Sequence, residues 1–203
     1  MEVTKTNPNA VYSVTNRMVH KLDQSLETSS GKAILANLRN SIGRPLSQSV
    51  AIWPFMFENL PKEFLSRGQS ASKKEIAILT TLQLYAMYRQ GKQAPARENG
   101  QEKGSKNIGY SLSALRVGDS TAAIDRRFNA LITATTYDEL IHHLRQMLKL
   151  LKSKMFGETN IDFGKLAQDL YKFLVGKDEN IRLSWARAYY RIYPKGGVES
   201  DQQ

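Results

Sequence analysis

Apolar residues along this chain recur almost everywhere at spacings of three and four, the periodicity of an α-helix with one buried face. Val11, Val14, Met18, Leu22 and Leu26 form the first stripe. Asn7 is its expected cap, and Pro8 tolerates the first turn because the N–H it lacks would be unpaired there anyway. Ser29, Ser30 and Gly31 interrupt the pattern, and a second stripe of Ile34, Leu35, Leu38 and Ile42 ends at Gly43, a residue suited to a left-handed cap. Arg44 and Pro45 open the next segment. Between Ser47 and Leu65 the chain is apolar but punctuated by Pro54 and Pro61, which predicts two or three short helical pieces in place of one rod. Ser72 and Glu75 have the spacing of a capping box for a helix running to about Arg89 and stopped by Gly91. Its apolar residues Ile76, Ile78, Leu79, Leu82, Leu84, Ala86 and Met87 point in many directions, as suits a helix in the middle of a bundle.

Residues 91–106 are rich in Gly, Gln, Lys and Glu, lack periodicity and read as a linker. Beyond it, residues 112–116 read as a short helical piece, and Ser120 is the expected cap of a helix with Ile124, Phe128 and Leu131 inward. Thr136 and Glu139 form a second capping box, opening a helix with Leu140, Leu144, Met147, Leu148 and Leu151 on one side. Asp162 caps a helix bearing Phe163, Leu166, Leu170, Phe173 and Leu174. Asp178 is expected to cap the last helix, with Ile181, Trp185, Ala188 and Ile192 inward until Pro194 ends it. No stretch sustains the period-two alternation of a strand. The expected fold class is all-α: two small helical bundles joined by a flexible basic linker. The expected boundaries are an N-terminal bundle over 1–90, the linker over 91–110, a C-terminal bundle over 111–194 and a disordered tail over 195–203.

Composition adds a functional constraint. At 41% hydrophobic and 24% charged residues the chain lies among globular proteins, but Lys+Arg 29 against Asp+Glu 19 leaves a net charge of +10. An excess that large points to an anionic partner: nucleic acid, an acidic protein or a membrane surface. The absence of cysteine removes disulfides, thiolate zinc sites and cysteine nucleophiles together, and fits a reducing, cytoplasmic location. Residues 1–9 are polar and lack the pattern of a secretory signal. The longest apolar stretch, residues 50–57, is broken by Pro54 and falls far short of the ~20 residues that span a bilayer, so no membrane partner is expected.

Chemistry is sparse. Histidine occurs only at His20, His142 and His143, and the last two, adjacent on a helix, point about 100° apart and cannot share a metal as an i, i+4 pair can. Asp138, Asp162 and Asp178 sit where helix caps sit. Residues 100–106 resemble a phosphate-binding loop at a glance, but lack its Gly-Lys-Ser/Thr order and a preceding strand. The expectation is a non-enzyme with no cofactor and no metal; a metal-dependent nuclease is the enzymatic alternative.

The cations are better organised. Arg145, Lys149 and Lys152 recur at i, i+4 and i+7, one turn beyond His142 and opposite the leucines, as a cationic stripe about two turns long. Arg187 and Arg191 share a face with Ser184, flanked by Arg182. Arg126 lies opposite Ile124 and Phe128, with Arg127 nearer the core boundary, while Lys32 and Arg39 share an outer face and Arg44 follows the cap. The faces from Arg145 to Lys152 and from Arg182 to Arg191 contain no compensating acid in this reading. The aromatics Trp53, Phe128, Phe173 and Trp185 fit apolar faces, and of Tyr189, Tyr190 and Tyr193 at least one belongs in a helix seam. The charge is therefore expected to read phosphates and not bases, with weak sequence preference and strong salt dependence. A free-standing helix-turn-helix DNA-binding regulator is the alternative, with residues 120–151 as its loose candidate.

The run 33–39 (Ala-Ile-Leu-Ala-Asn-Leu-Arg), the stretch 107–112 (Asn-Ile-Gly-Tyr-Ser-Leu), the segment 125–131 (Asp-Arg-Arg-Phe-Asn-Ala-Leu), Leu144-Arg145, Ile161-Asp162-Phe163 and 185–190 (Trp-Ala-Arg-Ala-Tyr-Tyr) resemble, in order, the CasB family, the small subunit of the type I-E CRISPR Cascade complex. The resemblance implies an all-helical, non-catalytic subunit of an antiviral surveillance complex. Such a subunit is present as a pair, lies along the crRNA backbone, and meets the backbone and large subunits. It also implies contact with crRNA, target DNA and the displaced strand of the R-loop. In RNA-guided systems base pairing supplies sequence specificity while protein cations hold backbones. By position, Arg39, Arg126, Arg127 and Arg145 fall on the family's basic motif positions. Lys32, Arg44, Arg116, Lys149, Lys152, Arg187 and Arg191 are added from the helical faces. Phe163 stands where the family often has Trp, and Ala188 where Asp is usual, which removes a possible ion pair from the last helix.

Overall fold

A computed structural model of the chain describes residues 9–91, 106–116, 121–154 and 161–191. The described residues form helices α1 (Ala10–Gln24), α2 (Ser29–Asn40), α3 (Trp53–Asn59), α4 (Lys73–Arg89), α5 (Ile108–Ser113), α6 (Thr121–Ile132), α7 (Tyr137–Lys154), α8 (Phe163–Leu174) and α9 (Asp178–Tyr190), and contain no strand. The all-α class is as expected. Three short 3-10 turns, Leu46–Gln48, Val50–Ile52 and Lys62–Phe64, surround α3 and its Pro54, so the proline-punctuated segment breaks into short pieces as its sequence requires.

Local chemistry sets most helix starts. Ser72 accepts from Glu75 N while the Glu75 carboxylate accepts from Ser72 N at 2.6 Å, a complete capping box that opens α4. Asp162 accepts from Lys165 N at 2.8 Å and opens α8. Four starts differ from expectation. Ser29, Ser30 and Gly31 do not interrupt a helix: they are the first turn of α2, capped by Thr28, whose hydroxyl accepts from Gly31 N. α5 begins at Ile108, one turn before the expected piece, because Asn107 caps it by accepting from Tyr110 N. Thr136 accepts from Glu139 N, and the Glu139 carboxylate bonds the Thr136 backbone and also accepts from Thr135 N at 2.8 Å, so the second box reaches one residue further back than expected. Asp178 is the first residue of α9 and makes no cap; its carboxylate pairs with Arg182 one turn on at 3.2 Å. The caps expected at Asn7 and Ser120, the stop at Pro194, the tail and most of the linker fall outside the described residues.

Among the described residues, α4 is buried on nearly every side, as its all-round apolar pattern demands. It packs against α1, α2, α7 and α8. α8, which follows the expected linker, packs against both α1 and α4, and its Gln168 donates to Asn9 at 2.9 Å. The buried apolar side chains accordingly form one cluster running from Val11 to Tyr189. Close backbone approach fixes two seams. A Cβ on Gly109 would overlap the Trp185 carbonyl, so α5 and α9 meet at a position only glycine permits, and a Cβ on Gly164 would meet the Asn16 side chain of α1.

Buried polar groups tie these seams together. Asp169, 1% exposed, receives the Trp185 indole N–H on one oxygen at 2.9 Å and the Lys165 ammonium on the other at 2.7 Å, joining α8 to α9. Asp23 of α1 accepts from Tyr85 OH at 2.7 Å and lies 3.6 Å from the buried guanidinium of Arg89, both on α4. A buried charge persists only when paired in this way.

Candidate nucleic-acid interface

The cations divide by what they touch inside the molecule. Arg116, just beyond α5, donates Nε and Nη2 to the two oxygens of Asp125 on α6 at 2.9 and 3.2 Å. Tyr189 of α9 donates its hydroxyl to the same carboxylate at 2.8 Å. Burial alone would raise the Asp125 pKa, but the hydrogen bonds from Arg116 and Tyr189 and the arginine's charge outweigh it and hold the carboxyl below its ordinary range. The guanidinium also sits over the Tyr189 and Tyr190 rings, 5.4 and 5.1 Å from their centroids. Arg116 is thus a fork-held link between α5, α6 and α9.

Lys152 is similarly engaged. Its ammonium donates to Met87 O at 3.0 Å in the last turn of α4, where helical carbonyls lack intrahelical partners and the dipole favours a cation. Burial, with the nearby Arg39 guanidinium second, depresses its pKa. The structure therefore brings Arg39 of α2 and Lys152 of α7 together at the end of α4, a proximity no helical wheel displays. The stripe expected on α7 is not uniform: Lys149 is exposed, Arg145 is half-buried with its Nε enclosed, and Lys152 turns inward.

Arg182 donates to Ala134 O at 2.6 Å, pairs with Asp178 and lies over Phe173, pinning α9 to the turn between α6 and α7. The α9 face was expected to lack compensating acid; Asp178 supplies it, at the i, i+4 spacing where such pairs form. Lys32 pairs with Glu27 at 3.3 Å between two well-exposed side chains. Arg44 is exposed just past Gly43, whose φ of +82° turns the chain as expected.

Arg126, Arg127 and Arg187 remain outward. All three are exposed, and no hydrogen bond or ion pair involves their side chains among the described residues. Arg127 was expected nearer the core boundary and instead stands out beside Arg126. Arg191, just past the end of α9, is also exposed. Below this surface Phe128 and Tyr189 stack with ring centroids 3.6 Å apart and planes 7° from parallel, so α6 and α9 are held rigidly under their arginines.

Sequence reasoning passed over Asp125, Asp23 and Arg89, whose partners lie on other elements, and Asp169, whose Trp185 partner lies on α9. Asp178 with Arg182 and Lys165 with Asp169 are pairs at i, i+4 spacing and carried a local signal. Among the described residues no three histidine, aspartate or glutamate side chains gather where they could hold a metal ion, and no helix is long and apolar enough to cross a membrane. The turn between α6 and α7 has the length of a helix-turn-helix turn. However, the first turn of α7 carries Asp138 and Glu139 where a recognition helix would meet phosphates and base edges, which opposes that reading.

The described all-helical fold is shared by solved structures. CasB from Thermobifida fusca superposes with a TM-score of 0.67 at 22% identity, covering 89% of this chain and 98% of that one. A Cse2-family protein from Thermus thermophilus matches with a TM-score of 0.59 at 23% identity over 87% and 97%. A chain of a structure described as a CRISPR RNA-guided surveillance complex matches with a TM-score of 0.66 at 17% identity over 88% and 92%. A comparison with curated protein sequences gives no match. The model of the CRISPR-associated protein Cse2 family matches residues 34–190. The chain belongs to that family, the CasB family its sequence motifs resemble.

Proposed function

We propose that this chain is a non-catalytic subunit of the Cascade antiviral surveillance complex, stabilising crRNA-guided target DNA and the displaced strand of the R-loop through phosphate contacts. The observation that carries the proposal is the sorting of the arginines. Arg89, Arg116 and Arg182 are bound to acids or carbonyls within the fold, whereas Arg126, Arg127 and Arg187 stand exposed on two helices locked together by the Phe128–Tyr189 stack. Unpaired cations on a rigid base attract phosphate without sequence preference, and a guide RNA supplies the specificity they lack. Family membership, and the likeness to a chain of an RNA-guided surveillance complex, support the assembly part of the reading. Within it, the partners are crRNA, target DNA, the backbone and large subunits and a second copy of this chain, in the cytoplasm.

The test is charge reversal in the reconstituted complex. Arg126→Glu with Arg127→Glu is expected to weaken R-loop formation on a matched target and to flatten the dependence of log affinity on log salt by roughly 1.5, the slope carried by two phosphate contacts. The melting temperature of the isolated chain should stay within a few degrees of the parent. Unchanged target binding at physiological salt would overturn the proposal.

A further inference from the structure

We infer that Tyr190 is a stacking platform for an unpaired base, so that the surface shared by α6 and α9 takes single-stranded nucleic acid by a base as well as by its phosphates. This rests on the nucleic-acid reading above and adds a contact that the charges alone do not supply.

The two tyrosines ending α9 are placed for different work. Tyr189 is fully buried, stacked on Phe128 with its hydroxyl on Asp125. Tyr190 is 38% exposed, yet its ring is held from several sides. Its hydroxyl donates to Asn129 Oδ1 at 2.8 Å, and the Phe128 and Tyr189 rings stand nearly perpendicular to it at 5.8 and 4.9 Å. The Arg116 guanidinium lies 5.1 Å from its centroid and is itself fixed by Asp125. An exposed aromatic at a helix end ordinarily samples several rotamers and gives up that freedom on binding; a ring fixed in advance has little left to lose.

Its surroundings supply the second half of a single-strand site. Arg126 lies one helical turn before Asn129 on α6, and Arg187 one turn before Tyr190 on α9, so exposed cations stand on both helices that hold the ring. A cationic track beside an exposed aromatic is how proteins hold unpaired strands without reading their sequence, because every base offers a π-face. A duplex keeps those faces inside its own stack. Phosphate contacts alone accept duplex and single strand alike, whereas the tyrosine engages only the latter.

The full-length chain and its Tyr190→Leu and Tyr190→Phe variants would be titrated, by fluorescence anisotropy, with a thymidine oligonucleotide, an abasic strand of equal length and a duplex. Tyr190→Leu is expected to weaken thymidine-strand binding about 5- to 150-fold, the worth of one stacked base, and to leave abasic and duplex binding unchanged. Tyr190→Phe, which keeps the ring, should stay within about two-fold of the parent on all three. Because Tyr190→Leu also removes the hydroxyl bond, an independent measurement uses the unaltered chain: 5-iodouracil in the strand should photo-crosslink to Tyr190. Equal loss on the abasic strand, no loss on the thymidine strand, or crosslinks only elsewhere would each overturn the inference. Failure of the parent to bind any of the three probes would overturn the nucleic-acid reading and this inference with it. Uniform loss in the Arg126→Glu, Arg127→Glu variant beside selective loss in Tyr190→Leu would support both.

Discussion

Asp125 accepts three hydrogen bonds, two from Arg116 and one from Tyr189, and stands immediately before the exposed Arg126 and Arg127. One carboxylate thus fixes the register of the helix that carries the proposed phosphate contacts. Because its folded-state pKa is held below the ordinary 3.8, the stability it contributes is fully present above the unfolded-state pKa and is lost as pH falls through the folded value. Asp125→Asn is expected to cost about 1–2 kcal/mol at neutral pH in urea unfolding, allowing for partial exposure, with a penalty that shrinks as pH is taken below about 4. A penalty independent of pH would mean that packing, and not the charge, holds this corner. The α7 cations separate in the same way. Lys149→Ala should lower the salt slope of nucleic-acid binding by about 0.8 with little effect on stability, whereas Lys152→Ala should cost about 1 kcal/mol of stability by freeing Met87 O. Identical salt slopes in the two variants would contradict this division. None of it was legible from the chain, since Arg116 finds its acid on α6 and Lys152 finds its carbonyl on another helix; sequence shows where a charge lies on a wheel and not what faces it.

Helices are specified more locally. The capping box of Ser72 and Glu75 and the cap at Asp162 were readable because donor and acceptor lie within one turn, and α4 announced its burial through its all-round apolar pattern. The start of α5 was missed because Asn107 follows a polar stretch that looks like continuous linker. Gly109 was legible only as a motif letter, and its reason is tertiary: the Trp185 backbone occupies the space of a side chain. Gly109→Ala should therefore destabilise the chain by about 2 kcal/mol or more by forcing α5 away from α9, and the fluorescence of Trp185 at that seam should change with it. A variant as stable as the parent would show that this approach is not close enough to matter.

Across the whole molecule the decisive contact is α8 against α1 and α4. It draws a helix from beyond the expected linker into the core of the first ninety residues, and Asp169 ties it onward to Trp185. Trp53 lies on α3 and Trp185 on α9, one on each side of the expected linker in the sequence. Variants retaining one or the other, the missing residue replaced by Phe, are expected to melt at coincident midpoints, as a single cooperative transition requires. Separate midpoints would support two independent bundles. The same contact has a consequence at the ribosome. About 70 residues separate the end of α4 from the start of α8, and at ~5–20 residues per second they take roughly 4–15 seconds to synthesise. For that interval the apolar faces of α1 and α4 that α8 will cover have emerged without it, so a nascent chain halted between the two helices is the form that most needs a chaperone.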